Sequence, residues 1–218
     1  MIGVWLGASA LAVDVSAGVG LSLVADLPDP APLDATRWSL GGGLVVPVWL
    51  GLTDRTSVRL GFRGDHASGV DQLTWTETIA GVDHRFVSDG HTAWLGLFTL
   101  AAGPEVRVPV GDHALTFALE GGGGAAATWH AMDLDSQVLL GSGPGLDDPG
   151  HLDPYAWSPA VAGFATVGFA PPWPIRFEVT FASAYVQGAG LTGAPVPLDA
   201  RREAFAATSI RPAILAAF

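Results

Sequence analysis

The triplet His66-Ala67-Ser68 sets an imidazole and a hydroxyl two residues apart, and a carboxylate, Glu77, follows downstream. A serine becomes a nucleophile when a histidine takes its proton and a carboxylate orients that histidine, all within hydrogen-bond reach. His66, Ser68 and Glu77 are therefore candidate members of a hydrolytic site. The triplet falls at the end of a strand-like run, where it enters a long polar segment. There a solvated His and Ser need no chemical role, and that is the reading taken. A second pattern, Asp133-x-Asp135, opens like a calcium loop, because hard cations prefer carboxylate oxygens. The glycine and closing glutamate of such a loop are not at the required spacing. The chain has no cysteine, so neither disulfides nor thiolate metal sites arise. No metal site and no cofactor are expected. The run Gly121–Gly124 has no strand–loop–helix context and no following lysine, so it is not a phosphate cradle. It is expected to let backbone pack closely or bend.

The charges carry more information. The formal net charge is −11, which disfavours nucleic acid, and all ten cations are arginine. Six of them, Arg37, Arg59, Arg63, Arg107, Arg176 and Arg211, stand at alternate positions within otherwise apolar runs, and so do Asp14, Glu105, Glu120 and Glu178. An unpaired ion sealed away from water is expensive. These residues are therefore expected to neutralise one another as a network on one face of a sheet.

The elements that would place them are strands. Hydrophobic residues make up 49% of the chain and charged residues 14%, with mean hydropathy +0.39. Apart from the extreme N-terminus, no apolar stretch approaches the ~20 residues that span a bilayer as a helix. Apolar residues come instead in alternating runs split by Gly, Pro and Asp, which predict strands near 13–25, 37–50, 56–64, 93–109, 114–130, 157–170, 174–187 and 204–218. Short connections, 51–55, 110–113 and 170–173, alternate with long ones, 26–36, 65–92, 131–156 and 188–203. The run Leu73–Ile79 in the second long connection would raise the strand count to ten if it formed a further hairpin.

Each run has a bulky apolar face and a small or charged one. Val58, Leu60 and Phe62 oppose Ser57, Arg59, Gly61 and Arg63; Ile175, Phe177, Val179 and Phe181 oppose Arg176, Glu178 and Thr180. Small residues and paired ions suit a narrow interior, and bulky apolar ones suit lipid. The expected fold is all-β: a closed antiparallel up-and-down transmembrane β-barrel of eight strands, over residues 13–218. Aromatics fall near strand ends as a membrane rim requires: Trp38, Trp94, Trp129, Trp157 and Tyr185 at one end, and Trp49, Trp173 and Phe218 at the other. Residues 1–12, MIGVWLGASALA, read as the apolar part of a secretory signal ending in an A-x-A site at Ala10–Ala12, without a basic region before it. The alternative is that Ile2–Ala12 begins the first strand.

Taken together, these patterns resemble the OmpA/OmpX-like superfamily of small outer-membrane barrels. The resemblance rests on the central hairpin AAGPEVRVPVGDHALTFALEGGGGAA, Ala101 to Ala126, and on the last strand SIRPAILAAF. That strand is similar to the assembly signal of the class, with Ile210, Ile214 and Phe218 on one face, and Ala216 departs from it where a bulkier residue is common. The resemblance implies outer-membrane lipids, lipopolysaccharide and the barrel-assembly machinery as partners. It also implies a periplasmic N-terminus and extracellular long loops. No wall-binding domain is expected after the barrel. The His66/Ser68/Glu77 set is distantly similar to outer-membrane lipid A deacylases, although the surrounding residues do not match.

The expected function is an integral outer-membrane protein with a polar, salt-bridged lumen and acidic outer loops, serving envelope structure or surface interaction through a loop ligand the sequence does not name. The loop acids would be Asp26, Asp29, Asp34, Asp65, Asp71, Glu77, Asp83, Asp89, Asp133, Asp135, Asp147, Asp148, Asp153, Asp199 and Glu203. The alternatives are a porin-like small-solute channel, a lipid-modifying hydrolase and a soluble β-barrel binder. With about eight strands the interior holds only side chains, which ranks the channel lower.

Overall fold

Period-two alternation between bulky apolar and small or charged residues produces strands throughout. The computed structural model describes residues 14–26, 37–79, 82–133, 151–152, 155–190, 192, 201–202 and 204–218. Eight long strands follow one another: β1 (Asp14–Asp26), β2 (Arg37–Thr53), β3 (Thr56–Ile79), β4 (Val82–Val110), β5 (His113–Asp133), β6 (Tyr155–Ala170), β7 (Ile175–Val186) and β8 (Phe205–Ala217). Two short ladders lie beyond them, Met132–Asp133 with His151–Leu152 and Ala189–Gly190 with Arg201–Arg202. Residues 1–12, the expected signal segment, lie outside the described residues.

Each strand pairs antiparallel with its neighbours in sequence, and β1 pairs with β8, so the sheet closes on itself. Reciprocal backbone hydrogen bonds of 2.8 Å between Ala17 and Phe218 fasten that seam. Closure removes the unpaired edges that an open sheet would present. The register also fixes the tilt. Cross-strand partners of Ser22 run one way through Gly43, Asp65 and Leu97 to Ala126. The other way they run through Ala213, Glu178 and Gly168 to Thr116, on the same strand β5. The two routes arrive ten residues apart. A stagger of that size over eight strands requires them to lean about 35–45° from the barrel axis.

The turns sort by end. Three short connections lie together with the described chain termini. Thr53 Oγ1 accepts from the backbone N–H of Arg55 and Thr56, at 3.2 and 3.0 Å, which holds the first. Gly111 takes a φ of 60°, as tight two-residue hairpins demand, in the second. Prolines at 171, 172 and 174 separate β6 from β7 in the third.

At the opposite end β3 and β4 outrun the ring. Among the described residues the β2–β3 ladder runs to Arg37↔Val70 and the β4–β5 ladder to Thr92↔Ala131, while β3 and β4 remain paired to Ile79↔Val82. This corrects the expectation of a long loop over 65–92 and sets aside the alternative of ten strands. The run Leu73–Ile79 extends β3 instead of adding a hairpin, because its Thr, Trp and Ile residues favour continued pairing. The glycine run serves packing: a Cβ at Gly122 or Gly124 would run into the backbone carbonyls of Leu100 or Phe98, so only glycine lets β5 coil this closely against β4.

Candidate functional site: the two faces of the barrel wall

Strict alternation gives the wall an inner and an outer face. In β7 every second residue, from Arg176 to Val186, is buried and the others are exposed. The outer set is bulky and apolar. It includes Leu21, Leu100, Phe98, Phe117, Leu119, Val161, Val167, Phe177, Val179, Phe181 and Ile214, with Leu119 65% and Ile214 59% exposed. Along β6 the outer positions run from Trp157 to Phe169. Those twelve steps span roughly 41 Å of strand, or about 29 Å along the axis once tilted near 45°. Rings gather at both limits. At the upper rim Trp157 stacks on Phe98 and meets Trp129 edge-on, both at 6.3 Å between centroids. Trp129, Trp157 and Tyr185 are exposed and Trp94 is half-buried. Tyr155 is also exposed there, although the sequence reading passed over it. At the other limit Trp173 and Phe218 are exposed, and His113 tilts against Phe169 at 5.2 Å. The side chain of Trp38 lies outside those described.

The inner face holds the ions. Among the described residues, Arg59, Arg63, Arg176 and Arg211 are buried with Asp65, Glu105, Glu120 and Glu178, four charges of each sign. Arg59 meets Glu178 through two parallel bonds, Nη1 to Oε1 at 2.9 Å and Nη2 to Oε2 at 2.7 Å. It also lies 3.6 Å from both Glu105 and Glu120. Arg63 reaches Glu120 at 2.7 Å, and Arg176 reaches Glu105 at 2.8 Å and Glu178 at 2.9 Å. Arg211 pairs with Asp65, and its Nε donates to Ser209 at 2.9 Å. Aromatic faces seat the guanidiniums. Arg176 lies 4.8 Å and Arg59 5.7 Å from the Trp49 ring, and Arg63 lies 4.5 Å from the Phe164 ring. Trp49 Nε1 donates to Glu105 at 2.9 Å. Buried charges survive only with this density of partners.

Several expected positions are corrected. Arg107 and Asp14 are exposed, not in the network. Arg107 sits at the short-turn end, its N–H bonded to the carbonyl of Arg55, where water reaches it. Asp14 opens β1 opposite Gly51 at the same end. Asp65, assigned to an outer loop, belongs to β3 and is buried against Arg211, because the strand continues past residue 64. Trp49, expected at a rim, shares its parity with Gly41 and Gly43 and points inward. The side chain of Arg37 lies outside those described. Nor is the interior polar throughout. Toward the arm, Leu95, Leu97, Ala126, Ala160, Ala184 and Val186 form one buried apolar cluster with Phe164. A neutral ion layer on the short-turn side thus meets a layer in which these apolar side chains lie among the buried hydroxyls of Thr99, Thr128 and Ser158.

His66 is an exposed, outward position within β3, not part of a loop. Ser68 and Glu77 lie further along the same strand, their side chains outside those described. Nine steps separate Ser68 from Glu77, roughly 30 Å of extended chain. The three groups do not converge, so the hydrolytic triad is withdrawn. Asp135 lies outside the described residues. No group of three or more His, Cys, Asp or Glu suited to a metal occurs among the described residues.

Neither a family model nor a curated protein matches the chain. Solved structures are similar to it. Neisserial surface protein A aligns with a TM-score of 0.40 and 7% identity, over 93% of this chain and 94% of that one. Ail, the attachment invasion locus protein of Yersinia pestis, aligns with a TM-score of 0.35 and 16% identity, over 94% and 97%. Its structure with the heparin analogue sucrose octasulfate gives 0.37 and 15%, over the same shares.

Proposed function

We propose that the chain is a closed, non-enzymatic integral protein of the bacterial outer membrane. In this reading the short turns lie in the periplasm, and the β3–β4 arm and long connections face outward. The single observation that supports it most is the outer belt: bulky apolar side chains ring a closed sheet over about 29 Å, bounded above and below by aromatics. In water such a surface would be an aggregation liability far beyond the patches monomers tolerate. In a bilayer it is the required one, and closure satisfies every strand edge without solvent. Short periplasmic turns and longer external connections are the usual asymmetry of this architecture and give the orientation.

Leu95 and Leu97 add apolar volume beside the ion layer, and a ring of about eight strands has room for little beyond side chains, which argues against the porin-like alternative. The protein would act on the envelope by its presence and through what its outer end binds. Ile214 and Phe218 lie exposed on the outer face and Ile210 half-buried, the arrangement an assembly machinery could read on the last strand. Lipopolysaccharide would be a neighbour, its phosphates reached from the outer carboxylates through divalent cations.

The test is heat-modifiable migration and protease access. Folded protein from membranes should run faster unheated than boiled, and protease added to intact cells should cut only within the arm and long connections. A monodisperse protein in buffer lacking detergent would end this reading.

A further inference from the structure

We infer that a groove in the outer wall of the barrel seats one acyl chain of an outer-leaflet lipid, its carbonyl held by Ser183 and Thr208. This rests on the membrane reading above, which puts hydrocarbon against the wall. The groove measures about 650 Å³ and crosses β4 to β8. Its floor is a single cross-strand row of small residues: Ala102, Gly121, Gly163, Ser183 and Thr208. Four strand spacings make that row roughly 19 Å long. Leu119 and Phe181 stand along its short-turn side.

The backbone does not require the two glycines of the floor. A Cβ at Gly103, Gly122 or Gly124 would run into backbone, whereas one at Gly121 or Gly163 would meet nothing within 4 Å. Neither takes a positive φ. A glycine inside a strand weakens it, and often marks a place where a ligand approaches closely. Here the pair thins the wall next to the exposed side chains of Leu119 and Val161, on the face turned to lipid.

The row also climbs, as the tilt of the strands demands. Gly121 lies eight residues from the rim residue Trp129 on its strand, Gly163 six from Trp157, and Ser183 two from Tyr185. The apolar end is deep in the belt and the hydroxyl end just under the outer rim, next to the polar interface of a bilayer. Among the described outward residues between the rims, Ser183 and Thr208 alone carry aliphatic hydroxyls. Among the described residues neither hydroxyl has a hydrogen-bonding partner. A hydroxyl facing hydrocarbon without an acceptor is costly. An ester or amide carbonyl at the head of an acyl chain has two lone pairs and accepts from both, while the methylenes lie along the floor.

The full chain in dodecylmaltoside micelles is mixed with dipalmitoyl phosphatidylcholine or with its dihexadecyl ether analogue, which lacks the carbonyls. Native mass spectrometry reads the lipid retained. The wild type should keep one ester lipid, held about fivefold more tightly than the ether lipid. Gly121→Leu with Gly163→Leu fills the floor and should weaken retention of both lipids about tenfold. Gly42→Leu, outward on β2 and away from the groove, should change neither. Ser183→Ala with Thr208→Val should erase the preference for the ester. Equal retention of the two lipids by the wild type, or retention unchanged by the leucines at 121 and 163, would overturn the inference. Heat-modifiable migration is measured on every protein. Its loss in the wild type would defeat the membrane reading, whereas its presence with indifferent lipid retention would defeat the acyl-chain seat alone.

Discussion

The Arg59 guanidinium and the Glu178 carboxylate meet fork to fork across the inside of the barrel, 119 residues apart in sequence, and neither side chain is exposed to solvent. Paired in this way they neutralise each other where water cannot. Arg59 also lies within reach of Glu105 and Glu120, and Glu178 within reach of Arg176, so the pair anchors a layer whose charges sum to zero.

Removing one member breaks that neutrality. Glu178→Leu leaves an uncompensated guanidinium and is expected to cost about 3–5 kcal/mol. The double change Arg59→Met with Glu178→Leu restores neutrality at similar volume and should recover most of the loss. Reversible urea unfolding in micelles or bilayers measures both. A double variant as unstable as the worse single one would deny that charge balance matters here.

Trp49 supplies a second handle. Trp49→Phe keeps a ring beneath Arg59 and Arg176 but removes the donor to Glu105, which retains Arg176. The expected loss is about 1–2 kcal/mol. In variants retaining one tryptophan, brominated lipid should quench Trp157 and Trp173 and leave Trp49 bright. Quenching of Trp49 to the same degree would place it on the outer face.

Much of this was legible from parity alone. Arg59 and Arg63, Glu105, Glu120, Arg176 and Glu178 all stand opposite bulky apolar neighbours, and that alternation separates the two faces without any coordinates. What parity could not supply was where each strand ends. Ending the third strand at residue 64 cast Asp65 as a loop acid, although it continues the series of Arg59 and Arg63. Arg107 shares the parity of Glu105, but one further step brings it to the water-filled end, and nothing local marks that limit. Leu95 and Leu97 continue the series of Thr99 back toward the arm and fill the barrel with apolar volume. Trp49 was read by its residue type as a rim aromatic when its shared parity with Gly41 and Gly43 made it an interior one. The arm reads as a loop with at most a separate hairpin at Leu73–Ile79, because its polar residues resemble a loop until cross-strand pairing is seen.

The filled interior makes a prediction about transport. Purified protein in planar bilayers should give no discrete conductance steps, because a ring of about eight strands holds little beyond side chains and Leu95, Leu97 and Phe164 add apolar volume beside the arginines. Regular steps that change with Arg63→Ala would show a path through the ions and revive the channel.

The separation of Ser68 from Glu77 makes another. His66→Ala and Ser68→Ala should leave the mass of co-expressed lipid A unchanged relative to wild type, and wild type should leave it as it is in cells lacking the protein. A mass change dependent on Ser68 would mean that a different carboxylate completes the set.

The inside-out assignment can be tested by depth. Leu119 is an outer residue in the middle of the belt, and Val110 is an outer residue at the short-turn end; both are more than half exposed. If hydrocarbon surrounds the ring, Leu119→Arg should cost about 2–4 kcal/mol and Val110→Arg about 0–1 kcal/mol, since the penalty for a charge falls from the midplane to the interface. Unfolding from lipid vesicles gives both values. If water surrounds the ring, both changes would be close to neutral, since each adds a charge to an already exposed position. The difference between the two sites is thus the informative quantity. A general tolerance of arginine at both would place the barrel in water, and the graded penalty would place Leu119 at the centre of a bilayer.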